Sequence, residues 1–418
     1  MTGLPETKKA SAPFVIMAKP VGSACNLRCS YCYYLSKDTG SLFPHPTVMD
    51  DATLGRFIKS YMESSPGPVV SFTWHGGEPA LAGLDFFEKV VSLEKKYLPD
   101  GFSCWNSLQT NGTLLTDEWC AFLKREKFDV GLSIDGAKWV HDEFRRDLGG
   151  GVSYDRSAAA IERLKQYGIL PDLLCTVTSE SAKDPLAVYR SLRNFGTGWI
   201  QFIPIVRRDE NGNVTPDSVS PEDYGEFLCR IFDDWKLHDL GRCGIQFFAE
   251  SAAILAGVAP SLCVMAPVCG RVLVVERDGS VFSCDHFVES RHRIGNILED
   301  SLADLADCEK QEAFGERKRA LLPERCKSCE ALAICNGGCP KDRFIPDGDP
   351  EKPLYYLCAG IRRFYSHAAP SLRKISALQR QNVPNPKIME MLLSEERDKW
   401  KVCSLCTYLP RGFGAIWS

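Results

Sequence analysis

The sequence predicts an α/β fold in which six strand–helix units form a partial (β/α)6 TIM-like barrel, followed by a cysteine-rich C-terminal domain. Between residues 14 and 240, short apolar runs alternate with stretches of helical spacing, which is typical of β/α units built around a parallel sheet. Six such units are fewer than the eight that usually close a barrel, so an open or partial barrel is expected. Beyond about residue 240 the alternation stops, and cysteines dominate as far as Cys358.

Each of the six strands is predicted from an apolar run that leads into a turn. They are FVIMAKP (14–20), VVSFTWHGGEP (69–79), CWNSLQTNG (104–112), FDVGLSIDG (128–136), LPDLLCTVT (170–178) and GWIQFIPIV (198–206), with helices expected near 50–64 and 84–96. Loops at the C-terminal ends of the strands carry the chemistry of βα barrels. The loop after the first strand and the segments GGEP, QTNG and SIDG are therefore expected at the rim of one site.

The segment after the barrel has a different character. RVLVVERDGSVFSCD (271–285) predicts a β-hairpin with Asp278 and Gly279 at its turn. The chain is expected to comprise a barrel over 1–240, a cysteine-rich domain over 241–370 and a helical tail over 371–418.

The composition excludes several classes of function. The chain has 418 residues, 44% of them hydrophobic and 25% charged, with a net charge of −4, and it lacks the basic footprint of a nucleic-acid-binding protein. No apolar run approaches the ~18–20 residues that span a bilayer, and the first residues lack the apolar core of a signal peptide. A cytoplasmic protein with no nucleic-acid or membrane partner is expected. Because cytosolic chains rarely hold disulfides, clusters among the 19 cysteines are expected to bind metal or to be catalytic.

The loop after the first strand holds three cysteines, Cys25, Cys29 and Cys32, with Tyr31 just before the last. Thiolates favour zinc or iron–sulfur clusters. A structural zinc site needs a fourth protein ligand, and the nearest histidine, His45, does not follow in a finger-like spacing. A cubane iron–sulfur cluster held by three thiolates would leave one iron open for a small molecule.

This triplet, with GGEP after the second strand, resembles the signature of the radical S-adenosylmethionine (SAM) enzymes. The resemblance implies that the open iron chelates the amino and carboxylate groups of SAM. One electron then releases a 5′-deoxyadenosyl radical that abstracts hydrogen from an unactivated carbon. The implied cofactor contacts are Tyr31, Gly76, Gly77, Glu78, Ser133, Arg145 and Val206.

Some of these contacts also have a purely structural interpretation. The glycine pair would suit a tight turn, Arg145 a solvated surface and Val206 the core. Tyr34 and His75 flank the pocket and are expected to face substrate, although both could simply be packing residues.

A second group of cysteines lies between residues 263 and 358 and resembles the SPASM extension of radical SAM enzymes that modify peptides. The resemblance implies two fully ligated auxiliary clusters, which would carry electrons and, with the first, make three 4Fe–4S clusters. The first auxiliary cluster would be held by Cys263, Cys269, Cys284 and Cys339. The second would be held by Cys326, Cys329, Cys335 and Cys358. Taken alone, the stretch 326–339 could also be a zinc ribbon.

Asp285 directly follows Cys284, and this dipeptide resembles the anaerobic sulfatase-maturating enzymes, in which the aspartate is the catalytic base. A turn-forming or capping aspartate is the structural alternative. The resemblance covers about residues 14–370 and implies oxidation of a Cys or Ser in a sulfatase polypeptide to Cα-formylglycine, with SAM cleaved to methionine and 5′-deoxyadenosine. A low-potential donor of the flavodoxin or ferredoxin type would supply electrons.

Two alternatives stay open from the sequence: a SPASM-type enzyme that forms thioether or carbon–carbon crosslinks in a ribosomal peptide, and a zinc-stapled scaffold without chemistry. The sequence leaves undetermined the choice between Cys and Ser substrates, the reductant, the oligomeric state and the role of Cys403 and Cys406.

Overall fold

The computed structural model describes residues 8–37 and 48–406, apart from the side chains of Ser36 and of residues 398–406. His45 and the side chains of Cys403 and Cys406 therefore lie outside the described part, as do residues 407–418 of the expected tail.

The strands of the described chain are β1 (Val15–Lys19), β2 (Val69–Trp74), β3 (Ser103–Thr110), β4 (Asp129–Ser133), β5 (Asp172–Val177), β6 (Trp199–Pro204), β7 (Gly244–Ile245), β8 (Val272–Glu276), β9 (Ser280–Phe282), β10 (Arg293–Asn296), β11 (Arg343–Ile345) and β12 (Leu354–Tyr355). The α-helices are α1 (Asp51–Ser64), α2 (Leu84–Tyr97), α3 (Asp117–Arg125), α4 (Lys138–Phe144), α5 (Tyr154–Gln166), α6 (Pro185–Asn194), α7 (Pro221–His238), α8 (Gln246–Leu255), α9 (Leu302–Ala306), α10 (Glu309–Ala320), α11 (Glu324–Lys327), α12 (Leu332–Cys335), α13 (Cys358–Arg380) and α14 (Asn385–Cys406).

Strands β1 to β6 lie side by side in chain order and are all parallel. This confirms the predicted α/β fold with six consecutive parallel strands. The main sheet is linear, in the order β10-β9-β8-β1-β2-β3-β4-β5-β6-β7, so the barrel is partial, as predicted.

The predicted hairpin is also confirmed, because β8 and β9 pair antiparallel around a turn at Gly279, whose φ is +81°. Its place in the fold was not foreseen. Strand β8 lies parallel to β1 and extends the barrel sheet, with Lys19 paired in register with Glu276. The hairpin thus brings the cysteine-rich segment against the first barrel strand. The division of the chain at residues 240 and 370 stays a prediction.

Burial alternates along β2. Val70, Phe72 and Trp74 are buried, and the last two meet Phe57 of α1 edge-on. The intervening residue Thr73 instead meets a serine hydroxyl of β3. Since side chains alternate across a strand, the apolar face of the sheet packs on the helices while small polar groups face the barrel interior.

Helices α7 and α13 cross next to Cys358, the last thiol of the cysteine-rich segment. Helices α7 and α13 pack closely where Gly225 meets Gly360, and a Cβ added at Gly360 would lie 2.3 Å from the Pro221 carbonyl oxygen. Helix α13 begins at Cys358, so this crossing also positions that thiol. None of the helices in the described residues is long and apolar enough to cross a membrane.

Candidate active site

The cysteine loop after β1 is held against the GGEP loop after β2 by two backbone hydrogen bonds. Gly77 N donates to Gly22 O at 2.8 Å, and Glu78 N donates to Ala24 O at 2.9 Å. A Cβ at Gly77 would lie 2.0 Å from Ala24 O, and Gly76 has a φ of +132°. Only glycine permits this approach of the two backbones.

Cys25, Cys29 and Cys32 are close enough for their charges to interact. Burial, helped by neighbouring acidic groups, raises the pKa of Cys25 to about 12 and that of Cys29 to about 11, although Arg145 acts against the latter shift. Partly buried thiolates of this kind need a nearby cation, and soft ligands suit iron. The donor set therefore fits an iron–sulfur cluster with three protein thiolates.

Glu78 is fully buried, and its carboxylate is occupied by the protein. It accepts hydrogen bonds from Ala80 N at 3.1 Å, Thr110 Oγ1 at 2.8 Å and Asn111 N at 2.7 Å. Burial raises its pKa to about 7. The side chain thus ties the GGEP loop to the end of β3.

Arg145 forms a two-point ion pair with Asp135, a residue that the sequence analysis did not single out. Arg145 Nε lies 2.9 Å from Oδ2 and Nη2 lies 3.1 Å from Oδ1, while the Tyr31 hydroxyl donates to the same carboxylate. Burial opposes ionisation of Asp135, but Arg145 outweighs it and holds the pKa below its usual value. The resemblance implied that Arg145 contacts a SAM carboxylate; in the structure both of these donors engage Asp135. The signal for Asp135 was its place in SIDG, directly beyond β4.

Other expected contacts line the same end of the sheet. Ser133 ends β4 and accepts a hydrogen bond from Gln109 Nε2 at 3.2 Å, and Val206 is buried just beyond β6. Thr176 N donates to Asp135 Oδ1 at 2.9 Å. The buried Thr176 hydroxyl has no hydrogen-bond partner among the described residues, which fits a polar ligand at this place.

Asp285 lies in a second polar cluster, beside the cysteine loop. Its Oδ1 lies 2.5 Å from Lys19 Nζ, and the Tyr33 hydroxyl donates to its Oδ2. Burial opposes the charge of Asp285, but Lys19, with help from His75 and His286, holds its pKa well below the usual value. These neighbours favour the charged form of Asp285.

His75 lies on the other side of Lys19. Its Nδ1 is 3.0 Å from Lys19 Nζ and accepts from Gly76 N at 2.7 Å. Both neighbours are donors, so the proton of the neutral ring lies on Nε2. Burial, followed by the charge of Lys19, lowers the pKa of His75 to about 3.

Tyr34 completes this cluster. Its ring lies 4.5 Å from Lys19 Nζ, and its hydroxyl donates to Glu276 of β8. Burial raises the pKa of Glu276 to about 7. Sequence reasoning missed Lys19, Tyr33 and Glu276; the available signal was a lysine at the end of the otherwise apolar run FVIMAKP.

The eight later cysteines form two groups whose members interact electrostatically. The first is Cys263, Cys269, Cys284 and Cys339. The second is Cys326, Cys329, Cys335 and Cys358. Membership coincides with the two sets expected above, and the ligand role of each thiol stays a prediction. Among the residues that the structure describes, no three His, Cys, Asp or Glu side chains are arranged to hold a single metal ion.

Basic side chains adjoin these thiols. The Lys318 ammonium is buried and donates to Cys263 O at 2.7 Å, and its charge acts against the burial-driven rise in the pKa of Cys269. Arg343 donates to Gly337 O at 2.7 Å between the two groups of thiols. Positive charge beside four thiolates fits an anionic cluster.

Comparisons with known proteins agree with this chemistry. Residues 20–192 match the radical SAM superfamily, and residues 263–330 match an iron–sulfur cluster-binding domain, SPASM. A serine-type anaerobic sulfatase-maturating enzyme of Bacteroides thetaiotaomicron is 41% identical over 86% of this chain and 90% of its own length. A cysteine-type enzyme of Clostridium perfringens is 35% identical over 87% and 98%. The solved structure of native anSMEcpe with bound AdoMet and Cp18Cys peptide is 34% identical, covers 87% of this chain and 99% of that chain, and superposes with a TM-score of 0.79.

Proposed function

Because this chain belongs to the anaerobic sulfatase-maturating enzymes of the radical SAM superfamily, we propose that its site residues divide the work of that reaction as follows. The enzyme oxidises a Cys or Ser of a sulfatase polypeptide to Cα-formylglycine and cleaves SAM to methionine and 5′-deoxyadenosine. The zinc-stapled scaffold is thereby ruled out, because the relatives are enzymes.

Three sets of thiols would hold the three 4Fe–4S clusters. Cys25, Cys29 and Cys32 would hold the cluster that binds SAM, and the two groups of four described above would hold the auxiliary clusters. When bound, these clusters and SAM supply one-electron chemistry and a primary carbon radical that abstracts hydrogen. The chain's own contribution is to hold SAM, to orient the peptide and to move a proton.

SAM would be held between the GGEP loop and the ends of β4 to β6. The backbone of Gly76 and Gly77, the Ser133 hydroxyl and the buried Val206 would contact it there. Tyr31, which lies against the Arg145–Asp135 pair, would be a further contact. The support is the Thr176 hydroxyl, a buried polar group that has no hydrogen-bond partner among the described residues and is therefore left for a ligand.

Asp285 would be the base that takes the hydroxyl or thiol proton of the substrate. The observation that carries this role is geometric: the nearly buried carboxylate directly follows Cys284 and accepts a hydrogen bond from Tyr33 of the cysteine loop. A general base must be ionised and within hydrogen-bond reach of the proton it removes. A serine substrate would give the aldehyde directly, and a cysteine substrate would give a thioaldehyde that hydrolyses to it. Tyr34 and His75 would shape the substrate side of this cluster.

Each SAM cleavage consumes an electron, so a low-potential donor of the flavodoxin or ferredoxin type would be the redox partner. Its use, and the many free thiols, suit a reducing cytoplasm.

Anaerobic mass spectrometry tests the proposal. Reconstituted enzyme with SAM and dithionite should remove two hydrogens from a sulfatase-derived peptide with serine at the target position, or exchange sulfur for oxygen with the same oxidation in the cysteine peptide. An alanine peptide is the control. The Asp285→Asn variant should still form deoxyadenosine but lose product about 10²–10⁴-fold, the usual contribution of a general base. Unchanged product in that variant would contradict the role of Asp285.

A further inference from the structure

Lys19 occupies an unusual position for a lysine. It ends β1 on the interior of the barrel, and its side chain is 0% exposed. Burying an ammonium group costs several kcal/mol unless partners compensate it, so its surroundings must supply strong acceptors. The established chemistry of the site, as described above, gives it no role.

Three groups surround the Lys19 ammonium: an ion-pair partner, a ring nitrogen and an aromatic face. Asp285 Oδ1 lies at 2.5 Å, His75 Nδ1 at 3.0 Å and the face of the Tyr34 ring at 4.5 Å. A lysine ammonium carries three donors, and an aromatic face is a third acceptor. The group is therefore held on three sides by three segments of the chain.

The partners of Lys19 are themselves fixed. His75 Nδ1 also accepts from Gly76 N at 2.7 Å, and Tyr34 is anchored by its hydroxyl on Glu276. His75 at the start of the GGEP loop, Tyr34 beside the cysteine loop and Asp285 after β9 thus meet at one nitrogen atom. The Lys19 nitrogen thus fixes the position of the Asp285 carboxylate relative to the GGEP loop.

We propose that Lys19 is a positioning residue for the reaction: it holds Oδ1 of Asp285, so that Oδ2, beside the Tyr33 hydroxyl, is fixed in the one orientation that takes the substrate proton. The proposal rests on the proposed role of Asp285 as the base. Lys19 itself exchanges no atom with the substrate. His75 acts one step further away, because it fixes the ammonium that fixes the carboxylate.

A purely structural role predicts a different outcome. Removing one partner of a buried ion pair leaves an uncompensated charge and is strongly destabilising, although Asp285 keeps the Tyr33 hydroxyl. A purely structural role therefore predicts a lower thermal midpoint, with deoxyadenosine and formylglycine falling together. A positioning role instead predicts that the variant still folds and that the Asp285 carboxylate is no longer held in one orientation. A displacement of about 1 Å at a reacting group can cost about 10²-fold in rate.

The test compares Lys19→Met with Lys236→Met in the reconstituted holoenzyme. Lys236 is the matched control, since it is also buried and ion-paired, to Asp233 at 2.7 Å and Glu396 at 3.3 Å, but it lies on α7. The measurements are iron per chain, the thermal midpoint, deoxyadenosine and formylglycine. We expect Lys19→Met to keep its iron and to form deoxyadenosine within about 2-fold of the wild type, while formylglycine per deoxyadenosine falls about 100-fold. Lys236→Met should keep the wild-type ratio.

Two further variants separate the possible failures. Lys19→Gln retains one N–H for Oδ1 without the charge and should recover part of the lost ratio, which also keeps the idea testable if Lys19→Met fails to fold. The double variant Lys19→Met with Asp285→Asn should lose no more formylglycine per deoxyadenosine than Asp285→Asn alone, because both changes disable the same base.

The outcomes are distinguishable. If Asp285→Asn abolishes product while Lys19→Met and Lys19→Gln keep the wild-type ratio, the positioning role is overturned and the proposed function stands. If Asp285→Asn retains full product, the proposed base is wrong whatever Lys19 does. If both Lys19 variants lose iron and deoxyadenosine in step with formylglycine, Lys19 serves folding only, and the inference is overturned.

Discussion

Replacing Gly77 by alanine should remove one of the three clusters and leave the other two. The added Cβ would lie 2.0 Å from Ala24 O and 2.5 Å from Ser23 O, whereas real Cβ contacts essentially never fall below 3.0 Å. The two loops must therefore separate by about 1 Å, enough to break the hydrogen bonds from Gly77 N at 2.8 Å and Glu78 N at 2.9 Å. Each such bond contributes about 1 kcal/mol, and the loop that moves carries Cys25.

The assay is iron and sulfide analysis of anaerobically reconstituted protein, followed by SAM cleavage with dithionite. Three four-iron clusters give about twelve irons per chain, and Gly77→Ala should retain about eight. SAM cleavage should be lost, because the missing cluster is the one that would bind SAM. Gly55→Ala is the control, because nothing lies within 4 Å of a Cβ at that position in α1, and alanine favours a helix by up to about 1 kcal/mol. Full iron and wild-type cleavage in Gly77→Ala would refute the reasoning.

Two other changes probe the scaffold. In Gly360→Ala the new Cβ would lie 2.3 Å from Pro221 O, which pushes the start of α13 and Cys358 outward. Calorimetry should show a free energy of unfolding lower by about 1–3 kcal/mol, as is typical of overpacking, and iron analysis should show a loss of up to about four irons. Unchanged iron would show that the crossing of α7 and α13 does not position the Cys358 thiol. His141 makes the stability of the fold depend on pH. Burial lowers its pKa to about 4, so below pH 6.5 the unfolded ring binds a proton while the folded ring stays neutral. Stability should fall as the pH drops from 6.5, by about 2 kcal/mol at pH 5, and His141→Asn should flatten this part of the pH profile of the thermal midpoint; an equally steep profile would argue against it.

Much of the fold and of the iron-binding chemistry could be predicted because the signals are local. The spacing of Cys25, Cys29 and Cys32, the glycines of GGEP and the Asp278–Gly279 turn each concern a few consecutive residues. The alternation of apolar runs and helical stretches reports which faces are buried, and that pattern gives the order of parallel strands when consecutive units are neighbours.

The role of individual charged groups was much harder to predict. Arg145 was expected to meet a SAM carboxylate, yet two of its donors engage Asp135. Glu78 was expected at SAM, and its carboxylate ties the loops after β2 and β3 together. The residue type alone does not identify the hydrogen-bond partner, because several acceptors along the chain have the same chemistry.

The sequence alone determined the family, the two kinds of cysteine array and the parallel strand order, all of which follow from short spacings and burial periodicity. Only the tertiary structure decided that Lys19 and Asp285 form one pair, although 265 positions separate them in the chain. The reason is physical: β8 joins the sheet beside β1, which sets Lys19 opposite Glu276 and carries the segment with Asp285 over the cysteine loop. A buried ammonium must then be matched by whichever acceptors that register delivers, and register is a property of the assembled sheet.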